Sequence, residues 1–367
     1  MQDKERIFGL DLMRALAILF VLFAHTSFLL PFSPEKQYMC LQYFGFMGVE
    51  IFFVLSGYLI GKILIRLYTN NKVNFKTTFY FWIRRWFRTL PTYYLALILS
   101  AGIFYFSNKI FVFSDPSYLF YFIFSQNLFS VHPEFFLIAW SLSVEEWFYL
   151  LMPLWFMLIY RIINGGKNYL IVAIVSFIFS ILLIRMVGVY LNDPEWESGI
   201  RRVVIFRLDA IMIGVLGAYL HLNYQQKWYQ IRKIVLWLGL SSFFIITIIH
   251  YNYVLLDEKG ANFFIRTIFF TLVSISIAFF LPSLSVWKNP GRGIIPKIII
   301  YISKISYSLY LFHLIVLFIV LTIGNKISPD ANILKFIAAW IFCIAFSAFI
   351  HLKFELPLMN KRDKYRL

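Results

Sequence analysis

Charge is scarce in this sequence: only 14% of its 367 residues are Asp, Glu, Lys or Arg, and the 18 acids are outnumbered by 34 basic residues. So few charges do not keep a chain of this size in water, which excludes a soluble globule. Cysteine occurs twice, at Cys40 and Cys343, with no C-x-x-C spacing, so no disulfide framework or thiolate metal site is available and no metal is expected. Internal repeats, low-complexity tracts and long linkers are also missing, which leaves nothing to divide the chain into separate domains. The first apolar run carries Asp11 and Arg14 and is followed by no small-residue cleavage site, so it reads as a retained span and not as a removable signal peptide.

What the chain does have is hydrocarbon: 61% of its residues are hydrophobic and 21% aromatic. One helical crossing takes about 20 mostly apolar residues, so the chain holds material for roughly ten. The stretches lie near 8–31, 44–66, 91–107, 141–160, 168–191, 203–222, 234–251, 263–284, 298–323 and 331–352, which predicts an all-α polytopic membrane protein of ten transmembrane helices. A shorter apolar piece, Tyr118 to Ser130, contains Gln126 and Asn127 and leads into Pro133 and Glu134. A crossing there would place the acidic loop 193–197 on the basic side and the Lys227 to Lys233 loop opposite, so 111–140 is predicted as a re-entrant or surface segment. On that topology 22 of the 34 basic residues but only four of the 18 acids share the side of both termini. The formal net charge of +16 is then an orientation signal that puts both ends in the cytoplasm, and it needs no nucleic-acid partner. Asn71 to Leu90, with Lys72, Lys76, Arg84, Arg85 and Arg88, reads as an interfacial amphipathic helix on anionic lipid, and Pro91 is expected to open the next span. The domain prediction is an integral-membrane part over 1–356 and a basic cytoplasmic tail over 357–367.

Ionisable groups inside apolar spans are costly and therefore mark candidate function. Arg14 and His25 are eleven residues apart, 1100° of helix, so they share one face about 16 Å apart along the axis. Arg14 points to a site near the cytoplasm and His25 to one nearer the outside, although Asp11 at i−3 offers Arg14 a purely structural partner. Glu50, the pair Glu145 and Glu146, Arg207 with Asp209, and His313 fall in the outer halves of four further spans, so with His25 five spans converge on one depth. Adjacent Glu145 and Glu146 point about 100° apart, so one of them faces the cavity and the other a neighbouring helix. The competing reading is a salt-bridge network joining helices, for example Arg207 with Glu145. Gly57 and Gly61 suit close helix packing. Arg85 and Arg88, at i and i+3, form a fork suited to phosphate oxygens.

These residues resemble a known family. Arg14 with His25, Gly48 through Ile60, Arg85-x-x-Arg88 ahead of Pro91, Trp140-Ser141-Leu142-Ser143-Val144-Glu145-Glu146, Arg207-Leu208-Asp209-Ala210, and Ser306 through His313 occur in order as in the membrane-bound acyltransferase-3 family, ending with Glu355-Leu356-Pro357. Glu50 stands where Asp is commoner, and Trp147 replaces a common Gln. The resemblance implies a bacterial inner-membrane enzyme that moves an acyl group, usually acetyl, from cytoplasmic acetyl-CoA or another acyl-CoA to a hydroxyl of an extracytoplasmic glycan or lipid-linked sugar. It implies that His25 is the essential histidine, Arg14 its partner, and Arg85 and Arg88 the pair that handles the donor. With thirteen residues after Phe354, the expected form is a stand-alone one without a fused extracytoplasmic domain.

The residues support that chemistry. His25, with an unperturbed pKa of about 6.5, suits a general base, with Glu145 or Glu146 orienting the imidazole. A transient acyl-imidazole is the alternative. Tyr310, Ser308 or Arg207 would stabilise an oxyanion, and Glu50, Arg207, Asp209, Tyr310 and His313 are the candidate substrate-binding residues. A proton-coupled transporter or flippase is the competing function, since paired intramembrane charges suit it equally. A passive scaffold accounts for the spans but not for the converging charges.

Overall fold

The computed structural model describes residues 6–70, 73–109, 112–133, 135–166, 168–255 and 262–362; Glu134 and positions 363–367 of the predicted tail lie outside them. A chain in hydrocarbon has no water for its peptide groups and must bond them within each segment, so the apolar stretches form helices. In chain order these are α1 (Phe8–Thr26), α2 (Pro34–Asn70), α3 (Phe75–Asn108), α4 (Ala139–Ile162), α5 (Tyr169–Asn192), α6 (Leu208–Asn223), α7 (Gln225–His250), α8 (Phe263–Ala278), the single turn α9 (Leu281–Leu284), α10 (Ile294–Ile327), α11 (Asn332–Ile350) and α12 (Leu356–Arg362). No strand occurs among the described residues. Nine helical tracts among them are long and apolar enough to cross a membrane, and α6 is a shorter tenth. The 16 residues of α6 rise about 24 Å, short of a hydrocarbon core of about 30 Å. Most of them are buried in protein, so few of its side chains meet lipid.

The chain forms two compact units. The first comprises Met1–Leu10, Glu50–Trp82 and Pro116–Lys288. Within it α2 and α6 touch through glycine: a Cβ on Gly57 would run into the Ile211 carbonyl, and one on Gly214 into the Val54 carbonyl. This is the close approach expected of Gly57, and Gly61 continues it against Val215 and Ala218. The second unit comprises Asp11–Val49, Ile83–Asp115 and Asn289–Leu367. Here α10 and α11 lie along one another, and Leu29, Leu317 and Ala339 form a buried cluster edged by Leu314 and Phe336.

Two stretches depart from plain span-and-loop order. The segment before Pro91 is not a separate surface helix, because α3 runs unbroken through the proline. Pro91 removes only the bond its missing N–H would make to Phe87, and neighbours hold α3 at two points ahead of it. In the first unit Trp82 Nε1 donates to the Tyr149 carbonyl at 3.0 Å. In the second the Tyr307 hydroxyl donates to the Thr89 carbonyl at 2.8 Å.

Among its described residues the piece around 112–138 forms no α-helix, only short 3-10 turns at Val112–Ser114 and Pro116–Ile123 followed by irregular chain. Such backbone is tolerated at membrane depth only when buried in protein. The buried Asn127 side chain donates to the carbonyls of Trp140 (3.2 Å) and Arg202 (2.6 Å), and its backbone carbonyl accepts from the Val204 N–H. Gln126 donates to Ser143 at 2.7 Å. Burial, reinforced by the Arg202 charge, pushes the His132 imidazole of this segment down to about 4.

Candidate active site

In the second unit two polar clusters lie along the seam between α1 and α10. Near the start of α1, Arg14 Nη1 donates to Ser303 Oγ at 3.1 Å and sits 3.5 Å from Asp11 Oδ1, and Ser303 Oγ donates to that same carboxylate oxygen at 2.7 Å. The local Asp11 partner foreseen for Arg14 is therefore present, and Ser303 of α10 joins it. At the other end of α1, His25 Nδ1 lies 2.9 Å from the Val21 carbonyl and 3.1 Å from His313 Nε2. His313 is fully buried, and its Nδ1 is 2.7 Å from the Tyr310 carbonyl and 3.2 Å from that of Leu309. Both rings occupy the last turns of their polar stripes: His25 is eleven residues beyond Arg14, and His313 ten beyond Ser303. One helix face thus contacts another at two points about 15 Å apart.

Tyr310, buried, packs its ring 6.0 Å from that of His313. Ser308 Oγ turns to Glu355, donating at 2.7 Å, and His351 lies 3.0 Å from the same carboxylate. Arg85 and Arg88 are half-buried on consecutive turns of α3. The carbonyl of Thr89, the residue after Arg88, ties this stretch to Tyr307.

The first unit holds charged groups that bond one another. Arg185 donates through Nη1 and Nη2 to the two oxygens of Asp209, both at 2.9 Å, and through Nε to the Thr267 carbonyl at 2.8 Å. Thr271 Oγ1 closes the ring on Asp209 at 2.6 Å. Arg207 donates through Nη2 to Glu50, whose other oxygen accepts from Ser274 at 3.3 Å, and its guanidinium lies 4.0 Å from the Phe270 ring centre. All four ionic groups are fully buried. The helix-joining network weighed from sequence exists, with Glu50 and not Glu145 as the partner of Arg207. Glu145 accepts from Tyr149, which also pairs with Ser56, and Glu146 is buried one position on.

Sequence candidates are thus brought together in three groups: Arg14 with Asp11, His25 with His313, and Glu50 with Arg207. Arg185, Ser303 and Ser274 are not among the sequence candidates. A cation in an apolar span points to Arg185 by the same rule that singled out Arg207, whereas serines inside apolar helices are too common to signal a partner. Among the described residues no group of three or more His, Cys, Asp and Glu is placed to hold a metal ion.

Comparison with known proteins gives one family. A family model described as an acyltransferase domain, Acyl_transf_3, matches residues 7–352. A candidate O-acetyltransferase of Staphylococcus aureus (strain COL) is 30% identical over 340 residues, covering 84% of this chain and 50% of that protein. The O-acetyltransferase OatA of S. aureus (strain NCTC 8325 / PS 47) is 28% identical, covering 83% and 49%. The peptidoglycan O-acetyltransferase OatA of Listeria monocytogenes is 31% identical over 214 residues, covering 53% and 31%. The chain spans about half the length of the S. aureus relatives, and no solved structure matches it.

Proposed function

The chain belongs to the Acyl_transf_3 acyltransferase family, and from that premise we propose that it transfers an acyl group, acetyl, from acyl-CoA to a hydroxyl of a glycan outside the membrane. The observation that carries the reading is the α1–α10 seam, which holds a histidine pair at one end and Arg14 at the other. A multi-pass helical chain related to bacterial O-acetyltransferases fits the cytoplasmic membrane of a bacterium, with the basic side and both termini inward. The name of the Listeria relative supports a cell-wall sugar as acceptor, free or lipid-linked. Residues 1–356 would form the membrane-embedded catalytic part and 357–367 a basic tail.

Coenzyme A carries phosphates, and the half-buried guanidinium groups of Arg85 and Arg88, one helical turn apart, offer planar forks for them. The donor supplies an activated thioester, and the protein's own task is proton transfer and orientation. The His25 imidazole takes the proton of the acceptor hydroxyl as that oxygen bonds to the acyl carbon. It then returns the proton to the departing sulfur, so the ring ends as it began.

The test is donor-dependent transfer by purified protein in lipid. Acetyl-CoA consumed with His25 present and spared in His25→Gln supports the reading. Substrate movement across the bilayer without loss of acetyl-CoA would identify a carrier instead. Acetyl trapped on His25 from the donor alone would replace direct transfer with a covalent route.

A further inference from the structure

Beyond the proton transfer just described, and resting on it, we infer that His313 is a positioning residue: its Nε2 lone pair holds His25 in the Nδ1–H tautomer, which assigns the reacting lone pair to Nε2 of His25. Four ring nitrogens decide the assignment. A carbonyl oxygen only accepts, so a ring nitrogen 2.7 Å from one carries a hydrogen; His313 Nδ1 at that distance from the Tyr310 carbonyl is therefore N–H. In a neutral imidazole the other nitrogen then bears the lone pair, so His313 Nε2 is an acceptor. Independently, the Val21 carbonyl 2.9 Å from His25 Nδ1 requires a hydrogen there too. The contact between His313 Nε2 and His25 Nδ1, at 3.1 Å, then falls into place as acceptor against donor. The opposite assignment of either ring would set lone pair against lone pair, or N–H against N–H, at this distance.

Histidine bases elsewhere are oriented by a carboxylate or carbonyl on the nitrogen remote from the reaction. Here a carbonyl on the same helix and a neutral imidazole from another helix share that duty. The carbonyl alone would leave the ring free to swing about its bond to α1, while the second ring pins it from α10. His313 is itself immobilised: it is fully buried, its Nδ1 bonds its own helix, and its carbonyl accepts the Cys343 thiol at 3.6 Å. When His25 takes a proton on Nε2, its Nδ1–H becomes a stronger donor toward both acceptors, which stabilises the charged ring only while the proton is in transit.

The experiment is nitrogen NMR of the full chain in lipid, labelled at histidine with nitrogen-15, at a pH where the rings are neutral. The His25 signals are identified by their loss in His25→Gln. The expected spectrum shows Nδ1 protonated and Nε2 bare. His313→Leu removes the acceptor and is expected to move His25 toward the Nε2–H form and to lower kcat about 10- to 100-fold, with KM for acetyl-CoA little changed. His313→Gln, which presents an amide oxygen, is expected to restore most of both. An Nε2–H tautomer in the unaltered protein, or His313→Leu with unchanged kcat, overturns the assignment. The spectrum reads the tautomer whether or not the ring is catalytic, so its failure and a failure of the transfer reaction are told apart.

Discussion

In the first unit four fully buried charged groups answer one another, Arg185 to Asp209 and Arg207 to Glu50, with threonine, serine and carbonyl oxygens filling in around them. In the second unit the α1–α10 seam brings two imidazoles together, fully buried His313 and half-buried His25, which share a hydrogen bond and are also bonded to carbonyls of their own helices. The difference lies in what each arrangement does when a proton or a substrate arrives. A bidentate ion pair inside protein is strongly held against change, since removing one partner strands a charge. A neutral imidazole offers both a donor and a lone pair, and altering its partner strands no counter-charge. One unit thus has the chemistry of a strut and the other, on the proposed function, that of a reaction, although both answer the same sequence rule that ionisable groups in a span mark candidate function.

The largest expected effect tests the second half of that contrast. His25→Gln is expected to slow acyl transfer by about 10²- to 10⁴-fold while thermal unfolding in detergent stays within a few degrees. A variant that instead fails to fold would make His25 a strut as well and erase the contrast.

The next effect tests the first half. Asp209→Leu leaves Arg185 buried without its carboxylate and is expected to destabilise the protein by about 3 to 5 kcal/mol. Arg185→Met combined with Asp209→Leu is expected to regain most of that, because two apolar groups of similar volume replace a pair whose desolvation offsets much of its attraction. Unfolding of the single and double variants, with transfer measured on whatever remains folded, decides it. A stable double variant without activity would move Asp209 from the frame to the chemistry.

A smaller effect compares packing in the two units. Gly57→Ala puts a Cβ into the Ile211 carbonyl and is expected to cost about 1 to 3 kcal/mol as α2 and α6 are forced apart. Gly102→Ala, on α3 with nothing within 4 Å of the new methyl, is expected to be neutral or to stabilise by up to about 1 kcal/mol. Equal losses at both positions would mean that glycine at 57 is not there for close approach.

How much of this was legible in the sequence follows from what each feature depends on. The spans were readable because burial in lipid is a property of composition, and the piece near 111–140 was set apart from them because a crossing there would have reversed the sidedness of the later charged loops. The continuity of α3 was not: proline and a basic stretch are local signals for a break, while the bonds from Trp82 and Tyr307 that hold the helix reach across 67 and 218 positions. Helical spacing placed Arg14 and His25 on one face, and depth placed His313 at the level of His25. Periodicity reports which face a residue occupies but not which face it meets, so the pairing of His25 with His313, and of Arg207 with Glu50 over Glu145, needed coordinates.

The smallest effect at neutral pH concerns a third histidine, which sharpens the contrast from the strut side. His132 lies outside the spans, buried in the first unit with its ring edge-on to Tyr121, and burial with the Arg202 charge holds it down to about 4. In the unfolded chain the same ring titrates near 6.5. Between those values the unfolded chain binds a proton that the folded chain does not, so stability falls as pH drops through that window and the loss levels off below about 4. His132→Phe keeps an aromatic ring against Tyr121 and removes the proton site. Stability at pH 8 is expected to change by less than about 1.5 kcal/mol, and the decline between about 6.5 and 4 to become shallower than in the unaltered protein. Melting temperatures across that range measure it, and an acid limb of unchanged slope would show that His132 is exposed to solvent protons in the folded state and does not belong to the closed interior of the first unit.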